Sequence, residues 1–449
     1  MRKPMMSRVT VFLCCVILVS CGRVEEPDGM VADILEGPDA GNPTEITRMG
    51  DVLYMSLNDG VFGSEVWSYD GRNLKRLTDV APGGGHAVPN RFHIFQDRLY
   101  FSATRVPEGR EMYRLDRGGA TLVENIGGDR GGSDPKGWTN FGDLLLFSAN
   151  DNKTGFELWA YDGEDVWQVA DIEPGSGSSN PRSITVLGEA VYFAATTREA
   201  GSELYVWDGQ GDVQLVSDLN PGAGSSRPEY LTAVDGRIYF SAYTEDTGIE
   251  LWVFDGGEVR LVADIAPGPS SSSPRGLIQF GEHVYFSAAS DTLGRELFRT
   301  TSDHTGVELV SDIRPGAAGS SPDQLTVVGG DQLYFSADDG EHGMEPWVLD
   351  SDGLRMLVDA NPGSASSSPI NFFRYDEDTV FFAARTESTG TELWKSSPDG
   401  VELYRDLFPG EGGSSPGPFH RLGDQLCFAA SDDDHGREFW CLQVRQESM

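Results

Sequence analysis

The sequence predicts an all-β protein, a single closed β-propeller of about nine four-stranded blades. A unit of about 46 residues recurs nine times along the chain. Each unit contains four short segments of strand composition, separated by Gly, Asp and Pro, and none has helical periodicity. Four-stranded units that repeat at about 40–50 residues are typical of propeller blades, and closure of the ring removes exposed sheet edges.

A Gly-x-Glu motif marks each unit, and its glutamates follow one another at intervals of 46 to 49 residues. The nine glutamates are Glu65, Glu111, Glu157, Glu203, Glu250, Glu296, Glu345, Glu392 and Glu438. The aromatic residues two positions after them are Trp67, Tyr113, Trp159, Tyr205, Trp252, Phe298, Trp347, Trp394 and Trp440. A catalytic residue is needed once, whereas a residue that packs or braces a blade is needed in every blade. We therefore expect both series to be structural.

A second landmark marks the connection between units: an Asp or Asn followed ten residues later by Pro, as in Asp171 and Pro181. In a propeller this connection runs from the outermost strand of one blade to the innermost strand of the next, across about 14 Å. Ten extended residues reach about 30 Å, which is ample. We expect the other links to be hairpins, which places the loops between second and third strands on the same face as the connections.

The two ends of the repeat region together predict closure of the ring. The region begins with an outermost strand at residues 30–33 and ends with a third strand at 437–444, with no room for a fourth. The N-terminal strand is therefore expected to complete the last blade. The propeller then covers residues 30–445 and a tail covers 446–449, with nine blades. A count of eight, the usual upper number, is the alternative.

Two cysteines, Cys427 and Cys441, lie on the second and third strands of that last blade. If these strands pair about a loop centred near Asp434, the two cysteines stand directly opposite one another and face the same side of the sheet. An exported protein meets an oxidising environment, so we predict a disulfide between them. Two free buried thiols are the alternative.

Residues 1–20 are predicted to be a lipoprotein signal peptide. A basic start precedes an apolar run of 11 residues, which is too short to span a bilayer. The segment Leu18-Val19-Ser20-Cys21-Gly22 resembles a bacterial lipoprotein processing site. Cleavage before Cys21 leaves that cysteine to carry lipid, on a tether of residues 21–29. Gly22 replaces the Asp of inner-membrane lipoproteins, which indicates an outer-membrane lipoprotein, on the periplasmic or the surface face. An ordinary signal peptide is the alternative.

The chain is strongly acidic, with 34 Lys+Arg against 71 Asp+Glu and a net charge of −37. Residues 1–20 contain three basic residues and no acidic one, so the mature chain carries −40. Such a surface repels nucleic acid and anionic lipid, and it suits cations, basic partners or solubility alone. We expect no nucleic-acid partner, membrane contact only through the lipid anchor, and a monomer.

The loops between second and third strands vary most among the units, and variable loops on a rigid ring usually carry specificity. We take them as the candidate ligand face, with solvated turns as the alternative. Its acidic residues are Asp59, Asp151, Asp291, Asp338, Asp339, Asp432, Asp433 and Asp434. No loop matches a known calcium motif, so we predict no metal site and no cofactor, with calcium as the alternative. The expected partner is an envelope protein or glycan.

Two segments, Glu157-Leu-Trp-Ala-Tyr-Asp-Gly163 and Glu250-Leu-Trp-Val-Phe-Asp-Gly256, carry a recognisable motif. They resemble the bacterial ELWxxDGT repeat family, and the resemblance covers residues 31–445. The terminal Thr of the motif is absent from every unit; Glu164 and Gly257, for example, stand in its place. The resemblance implies a secreted or surface protein with a propeller-like fold, and it implies no activity.

The sequence contains no recognisable catalytic constellation: it has no nucleophile elbow, no phosphate loop and no metal spacing of histidines. The leading hypothesis is a non-enzymatic binding or scaffold propeller of the cell envelope, with an acidic loop face. The alternative is a polysaccharide hydrolase or lyase whose site at the central pore is assembled from blades that are distant in sequence.

Overall fold

The computed structural model describes residues 28–128 and 131–444, which form 36 strands in nine antiparallel sheets of four strands each. The predicted all-β propeller of nine blades is confirmed, and the alternative of eight blades is wrong. The predicted signal peptide, Cys21 and the tail at 446–449 lie outside the described residues. Within the described part of the chain, no helix is long and apolar enough to cross a membrane.

Blades 1 to 4 follow one another along the first half of the chain. Blade 1 comprises β2 (Thr44–Met49), β3 (Val52–Asn58), β4 (Ser64–Tyr69) and β5 (Leu74–Arg76). Blade 2 comprises β6 (Asn90–Phe95), β7 (Arg98–Arg105), β8 (Gly109–Asp116) and β9 (Gly119–Glu124). Blade 3 comprises β10 (Lys136–Phe141), β11 (Leu144–Asn150), β12 (Phe156–Tyr161) and β13 (Val166–Ala170). Blade 4 comprises β14 (Arg182–Leu187), β15 (Ala190–Thr197), β16 (Gly201–Trp207) and β17 (Gln214–Ser217).

Blades 5 to 9 complete the ring. Blade 5 comprises β18 (Glu229–Val234), β19 (Arg237–Thr244), β20 (Gly248–Phe254) and β21 (Val259–Ala263). Blade 6 comprises β22 (Arg275–Phe280), β23 (His283–Ser290), β24 (Gly294–Thr300) and β25 (Val307–Ser311). Blade 7 comprises β26 (Asp323–Val328), β27 (Gln332–Asp338), β28 (Met344–Asp350) and β29 (Gly353–Met356). Blade 8 comprises β30 (Ile370–Arg374), β31 (Val380–Thr386), β32 (Gly390–Ser397) and β33 (Gly400–Arg405). Blade 9 comprises β34 (His420–Leu422), β35 (Gln425–Asp432), β36 (Gly436–Gln443) and the N-terminal β1 (Met30–Ala32).

The first strand of each blade is innermost, because first strands of neighbouring blades contact one another, as β2 and β6 do. Blade 9 closes onto blade 1: β34 contacts β2, and Arg48 Nη1 donates a hydrogen bond to the Arg421 carbonyl at 2.8 Å. Alternate links of such a meander lie at the same end of the sheet. The inter-blade connections and the loops between second and third strands therefore share one side of the ring, the loop face.

The seam at blade 9 is built as the sequence predicts. Strand β1 pairs with β36, with Met30 opposite Trp440 and Ala32 opposite Phe439. Cys427 is opposite Cys441 in the register of β35 and β36, and the two form a disulfide. Met30 is 6% exposed and packs in the same cluster as Trp440, so the N-terminal strand contributes to the core of the last blade.

The hydrophobic core lies between the blades, and strand periodicity explains it. Successive side chains of a strand point to opposite faces of the sheet, so each blade packs against both of its neighbours. On β19, Tyr239 packs with Phe286 of blade 6, whereas Phe240 packs with Leu204 of blade 4. Each blade thus supplies half of two interfaces, which makes the ring a rigid support for its loops.

Candidate functional site

The loop face is tied together by the same backbone hydrogen bond in every blade. The end of each second strand donates its N–H to the connection that enters that blade; Thr196 N, for example, donates to the Ser179 carbonyl at 2.7 Å. The eight equivalent donor and acceptor pairs are Asn58–Gly41, Thr104–Ala87, Asn150–Ser133, Tyr243–Ser226, Ala289–Ser272, Asp338–Ser320, Arg385–Ser367 and Ser431–Ser414. The loops therefore project from a fixed base.

The nine repeated glutamates lie beneath this face, and all of them are fully buried. At Glu157, Oε1 accepts the backbone N–H of Ser179 at 2.9 Å, and Oε2 accepts the N–H of Ile172 at 2.9 Å and the Ser179 hydroxyl at 2.6 Å. Burial raises the pKa of every one of these glutamates, and the hydrogen bonds offset part of that shift. In these positions the carboxylates hold the inter-blade connections and are closed to substrate.

The serine in this network is the residue that sequence reasoning missed. Ser179 donates its hydroxyl to Glu157 of blade 3 and accepts from Thr196 of blade 4, so one residue joins two blades. The signal was present: serine stands two positions before the recurring proline in seven of nine units, at Ser133, Ser179, Ser226, Ser272, Ser320, Ser367 and Ser414. All seven are fully buried.

Two units lack the serine, and another group donates a hydrogen bond to the buried glutamate there. Ala87 stands at this position after blade 1, and the Thr78 hydroxyl replaces it as donor to Glu65 Oε2 at 2.6 Å. Gly41 stands there at the seam; its N–H donates to Glu438 Oε1 at 2.6 Å, while Oε2 has no partner among the described residues. Burial, with Asp33 adding to it, raises the pKa of Glu438 to about 7.

The repeated aromatic residues fill the space between blades, and their polar atoms fall into two groups. In four blades the indole Nε1 donates to the carbonyl of an alanine on the second strand at 3.1 Å; these are Trp252, Trp347, Trp394 and Trp440. The Nε1 atoms of Trp67 and Trp159 and the hydroxyl of Tyr113 are buried without a partner among the described residues. Blades 1 to 3 thus depart from the others.

Five of the eight acidic residues predicted for the ligand face are bound within their own loops. Asp59, Asp151, Asp339 and Asp432 each accept two backbone N–H bonds from the following turn. Asp338 accepts the N–H of Gly340 and pairs with Arg314. These five carboxylates shape the turns of their own loops.

The other three, Asp291, Asp433 and Asp434, are exposed, and five further loop carboxylates that sequence reasoning missed join them. Together the exposed carboxylates of these loops are Glu199, Glu245, Asp246, Asp291, Glu341, Glu387, Asp433 and Asp434. They lie on blades 4 to 9, and we call them the acidic crescent. The corresponding loops of blades 1 to 3 carry no exposed carboxylate, while Val61 and Val106 there are 67% and 87% exposed.

The described part of the chain contains no preformed metal site. There, no three His, Cys, Asp or Glu side chains are placed to hold an ion. Five of the acidic loop residues that calcium would need accept hydrogen bonds from their own turns instead. The loops therefore have the geometry of capped turns.

The innermost strands share one backbone feature, at a position where the residue differs from blade to blade. In blades 1 to 8 the second residue of the first strand has a positive φ, next to a register shift of the β2–β3 type. The residues at this position are Glu45, Arg91, Gly137, Ser183, Tyr230, Gly276, Gln324 and Asn371. Glu45 is the one carboxylate among them, whereas a glycoside hydrolase uses a pair on either side of the scissile bond. By themselves these eight positions do not supply such a pair.

Fold and site together define the class of the protein: a nine-bladed β-propeller with a polarised loop face. No protein-family model matches the chain, and a search of the curated proteins also finds no match. Solved structures do match. They include a puromycin-hydrolyzing peptidase of Mycobacterium tuberculosis, at 14% identity and a TM-score of 0.40, over 77% of this chain and 58% of that one.

Two further structures are similar at the same level. One comes from a study of two prolyl endopeptidases, at 12% identity and a TM-score of 0.44, over 89% of this chain and 56% of that one. The other is an acylaminoacyl peptidase of Pyrococcus horikoshii, at 13% identity and a TM-score of 0.37, over 76% and 57%. This chain thus spans a little more than half the length of these peptidases, and the similarity carries no argument about activity.

Proposed function

We propose that this chain is a non-enzymatic binding or scaffold propeller of the bacterial cell envelope, which presents the acidic crescent to an envelope protein or glycan. The observation that carries the proposal is the placement of eight exposed carboxylates on six consecutive blades and on one face. The repeated glutamates, which an enzyme could have used, are all buried in the inter-blade network. A rigid ring with exposed charge on variable loops suits recognition by charge complementarity.

The proposal includes an anchor. Cys21 follows the apolar run of a lipoprotein signal peptide, and its lipidation would attach the propeller to the outer membrane. We regard the chain as a divergent member of the ELWxxDGT repeat family, which is consistent with this location. Mass spectrometry of the N-terminal peptide and membrane fractionation of a Cys21→Ala variant test the anchor independently of any ligand.

The binding function is tested with a variant that neutralises the crescent. We expect Glu245→Gln, Asp291→Asn, Asp433→Asn and Asp434→Asn together to weaken binding to an array of envelope glycans and to purified envelope proteins, with an effect that shrinks at high salt. The matched control changes the same number of charges on the opposite face, at Glu164, Glu189, Glu258 and Glu282, and should bind as the unaltered chain does.

Thermal-shift titration with calcium and with envelope glycans completes the test. Stabilisation by several degrees with calcium, lost in the crescent variant, would assign the crescent to cation binding instead. Equal binding by the crescent variant and its control, or turnover of a polysaccharide by the purified chain, would contradict the proposal.

A further inference from the structure

A cleft of about 410 Å³ opens between the outer strands of blades 1 and 2, beside the acidic crescent and separate from it. One wall is the end of β5 and the start of the next connection, with Arg76, Thr78 and Asp79. The other wall belongs to blade 2, with Arg105 and Tyr113. Its size falls at the lower end of the range of small-molecule sites in proteins.

The other blades serve as internal controls for this cleft, because most of them have larger side chains at the equivalent positions. Six blades have tryptophan where blade 2 has Tyr113. At the start of the fourth strand, Ala120 occupies the position that is Leu or Val in blades 1, 3, 5, 6, 7 and 8. Two side chains smaller than their equivalents meet here, and together they leave the space open.

The two arginines of the cleft also depart from the repeat. Arg76 pairs with Trp67 at the position where Leu122, for example, pairs with Tyr113. Five further blades have Leu or Met at this position. The Arg76 guanidinium lies 3.5 Å from the centre of the Phe62 ring and 3.9 Å from a carboxylate oxygen of Asp59, and it donates to the Thr78 carbonyl at 2.7 Å. These partners within blade 1 hold it in place.

Arg105 breaks the repeat more sharply. The other eight blades have Asp, Ser or Thr at this position, and in each of them the side-chain oxygen accepts a backbone N–H of the following turn. Blade 2 lacks this cap. Its residue at this position is an exposed arginine, which has no ion pair or hydrogen bond among the described residues. A sequence that breaks its own local rule at one place indicates a functional position.

A third group in the cleft lacks a partner. Tyr113 is 2% exposed, and its hydroxyl makes no hydrogen bond with any described residue. Burial raises the pKa of this phenol to about 12, so the oxygen keeps its proton and can donate. A buried hydroxyl without a partner costs about 1–3 kcal/mol, which a ligand that accepts its hydrogen bond would recover.

We propose that this cleft binds a hexuronate, the carboxylated sugar unit of an acidic polysaccharide. Arg105 supplies the guanidinium that recognises a carboxylate, Tyr113 donates to the sugar, and the carboxylate of Asp79 accepts from its hydroxyls. Arg76 is already paired with Asp59 at 3.9 Å, so Arg105 is the cation of the cleft that meets the carboxylate of a monoanion. Asp79 would repel a phosphate dianion. The site goes beyond the acidic crescent, whose charge would repel the same ligand.

The test is calorimetric titration of the full-length chain with D-galacturonate, D-glucuronate and trigalacturonate, against D-galactose and inorganic phosphate as probes. We expect saturable binding of the uronates only. Arg105→Ala should weaken it about 10- to 100-fold, because a charge-assisted hydrogen bond is lost. Ala120→Val should abolish it, since valine fills the same position in blades 3, 5, 6 and 8 without harm to their sheets.

Tyr113→Phe separates a binding role from a structural one. It should weaken uronate binding about 3- to 10-fold while thermal stability stays equal or rises, because a buried hydroxyl without a partner is removed. The control is Tyr205→Phe, at the equivalent position of blade 4, where the hydroxyl lies 3.2 Å from Thr197 Oγ1; uronate binding should not change.

Three results would overturn the proposal: no uronate binding at millimolar concentration, uronate binding that survives both Arg105→Ala and Ala120→Val, or equal binding of phosphate. The crescent variant described above should bind uronate as the unaltered chain does. An absence of uronate binding at the cleft can thus be distinguished from an absence of ligand binding at the acidic crescent.

Discussion

Single residues in this propeller are under strong constraint where a carboxylate is buried. Removing a carboxylate from water costs several kcal/mol unless its oxygens are hydrogen-bonded. Glu157 meets this condition with donors from Ile172 and Ser179, and the serine hydroxyl is the one donor that a point mutation can remove without disturbing the backbone. The inter-blade serine therefore gives a direct measure of the network.

We expect Ser179→Ala to lower the free energy of unfolding by about 1–3 kcal/mol, because a fully buried carboxylate oxygen loses its hydroxyl donor. Urea unfolding followed by tryptophan fluorescence measures the change. The control is Ser270→Ala, an exposed serine of the connection between blades 5 and 6, which should stay within about 0.5 kcal/mol of the unaltered chain. Equal losses for both variants would mean that the hydrogen bond to Glu157 does not stabilise the ring.

Glu438 predicts a pH dependence of stability at the seam. Its native pKa of about 7 lies above the ordinary value of 4.5, so between these values the native state holds a proton that the unfolded chain has released. The stabilising effect of this proton is complete below about pH 4.5 and is lost as the pH rises to about 7. We expect Glu438→Gln to reduce the fall in stability between pH 5 and 7.5 by about 2–3 kcal/mol.

Urea midpoints at half-unit steps of pH measure this difference between the variant and the unaltered chain. Other groups titrate in the same range, and the comparison cancels their contribution. Glu157→Gln is the control, because both carboxylate oxygens of Glu157 accept hydrogen bonds, which offset part of the rise that burial causes in its pKa. Parallel pH curves for the unaltered chain and Glu438→Gln would contradict the argument.

At the scale of the element, each blade is a meander whose hairpins are local and whose register can therefore be predicted. The symmetry of the hairpin between β35 and β36 placed Cys427 opposite Cys441 from sequence alone, and the observed register is the same. The bulge in the first strand was not predicted. It places Ser183, for example, at positive φ in β14, and nothing in the composition of that strand signals it.

The disulfide of blade 9 should stabilise the blade that the two ends of the chain share. Its cysteines are 14 residues apart, and closing a loop of this size is worth about 2–3 kcal/mol. We expect a double Cys427→Ala, Cys441→Ala variant to unfold at lower urea concentration by that amount. Reducing agent should bring the unaltered chain to a similar midpoint and leave the variant unchanged. An effect of reductant on the variant would point to another cause.

The whole molecule depends on one closure, since blade 9 takes its fourth strand from the N-terminus. Deleting residues 28–33 should expose β36 as an open edge with unpaired backbone groups and uncover the pocket of Met30 beside Trp440. We expect a lower melting temperature and concentration-dependent self-association in size-exclusion chromatography. The control is a chain that begins at residue 28 and therefore keeps β1, and it should remain monomeric. A monomeric deletion variant of unchanged stability would show that closure does not depend on β1.

The polarity of the loop face also belongs to the whole molecule. The acidic crescent spans blades 4 to 9, while the cleft with Arg76 and Arg105 lies between blades 1 and 2. Net charge alone suggested a uniformly acidic face, and the structure divides that face into two sectors. One ring can thus present two surfaces that prefer ligands of opposite charge, because each blade fixes the direction of its own loop.

The blade, the closing strand and the register of the two cysteines were predictable from the sequence, whereas the choice between nine blades and eight needed the structure. These features follow from local rules, namely strand alternation, turn residues and a repeat of about 46 residues. The folded ring, by contrast, shows which loop carboxylates are exposed and which cap their own turns, and it brings Arg76, Arg105 and Tyr113 to one cleft. Exposure and convergence depend on contacts between blades, and such contacts leave no periodic trace along the chain.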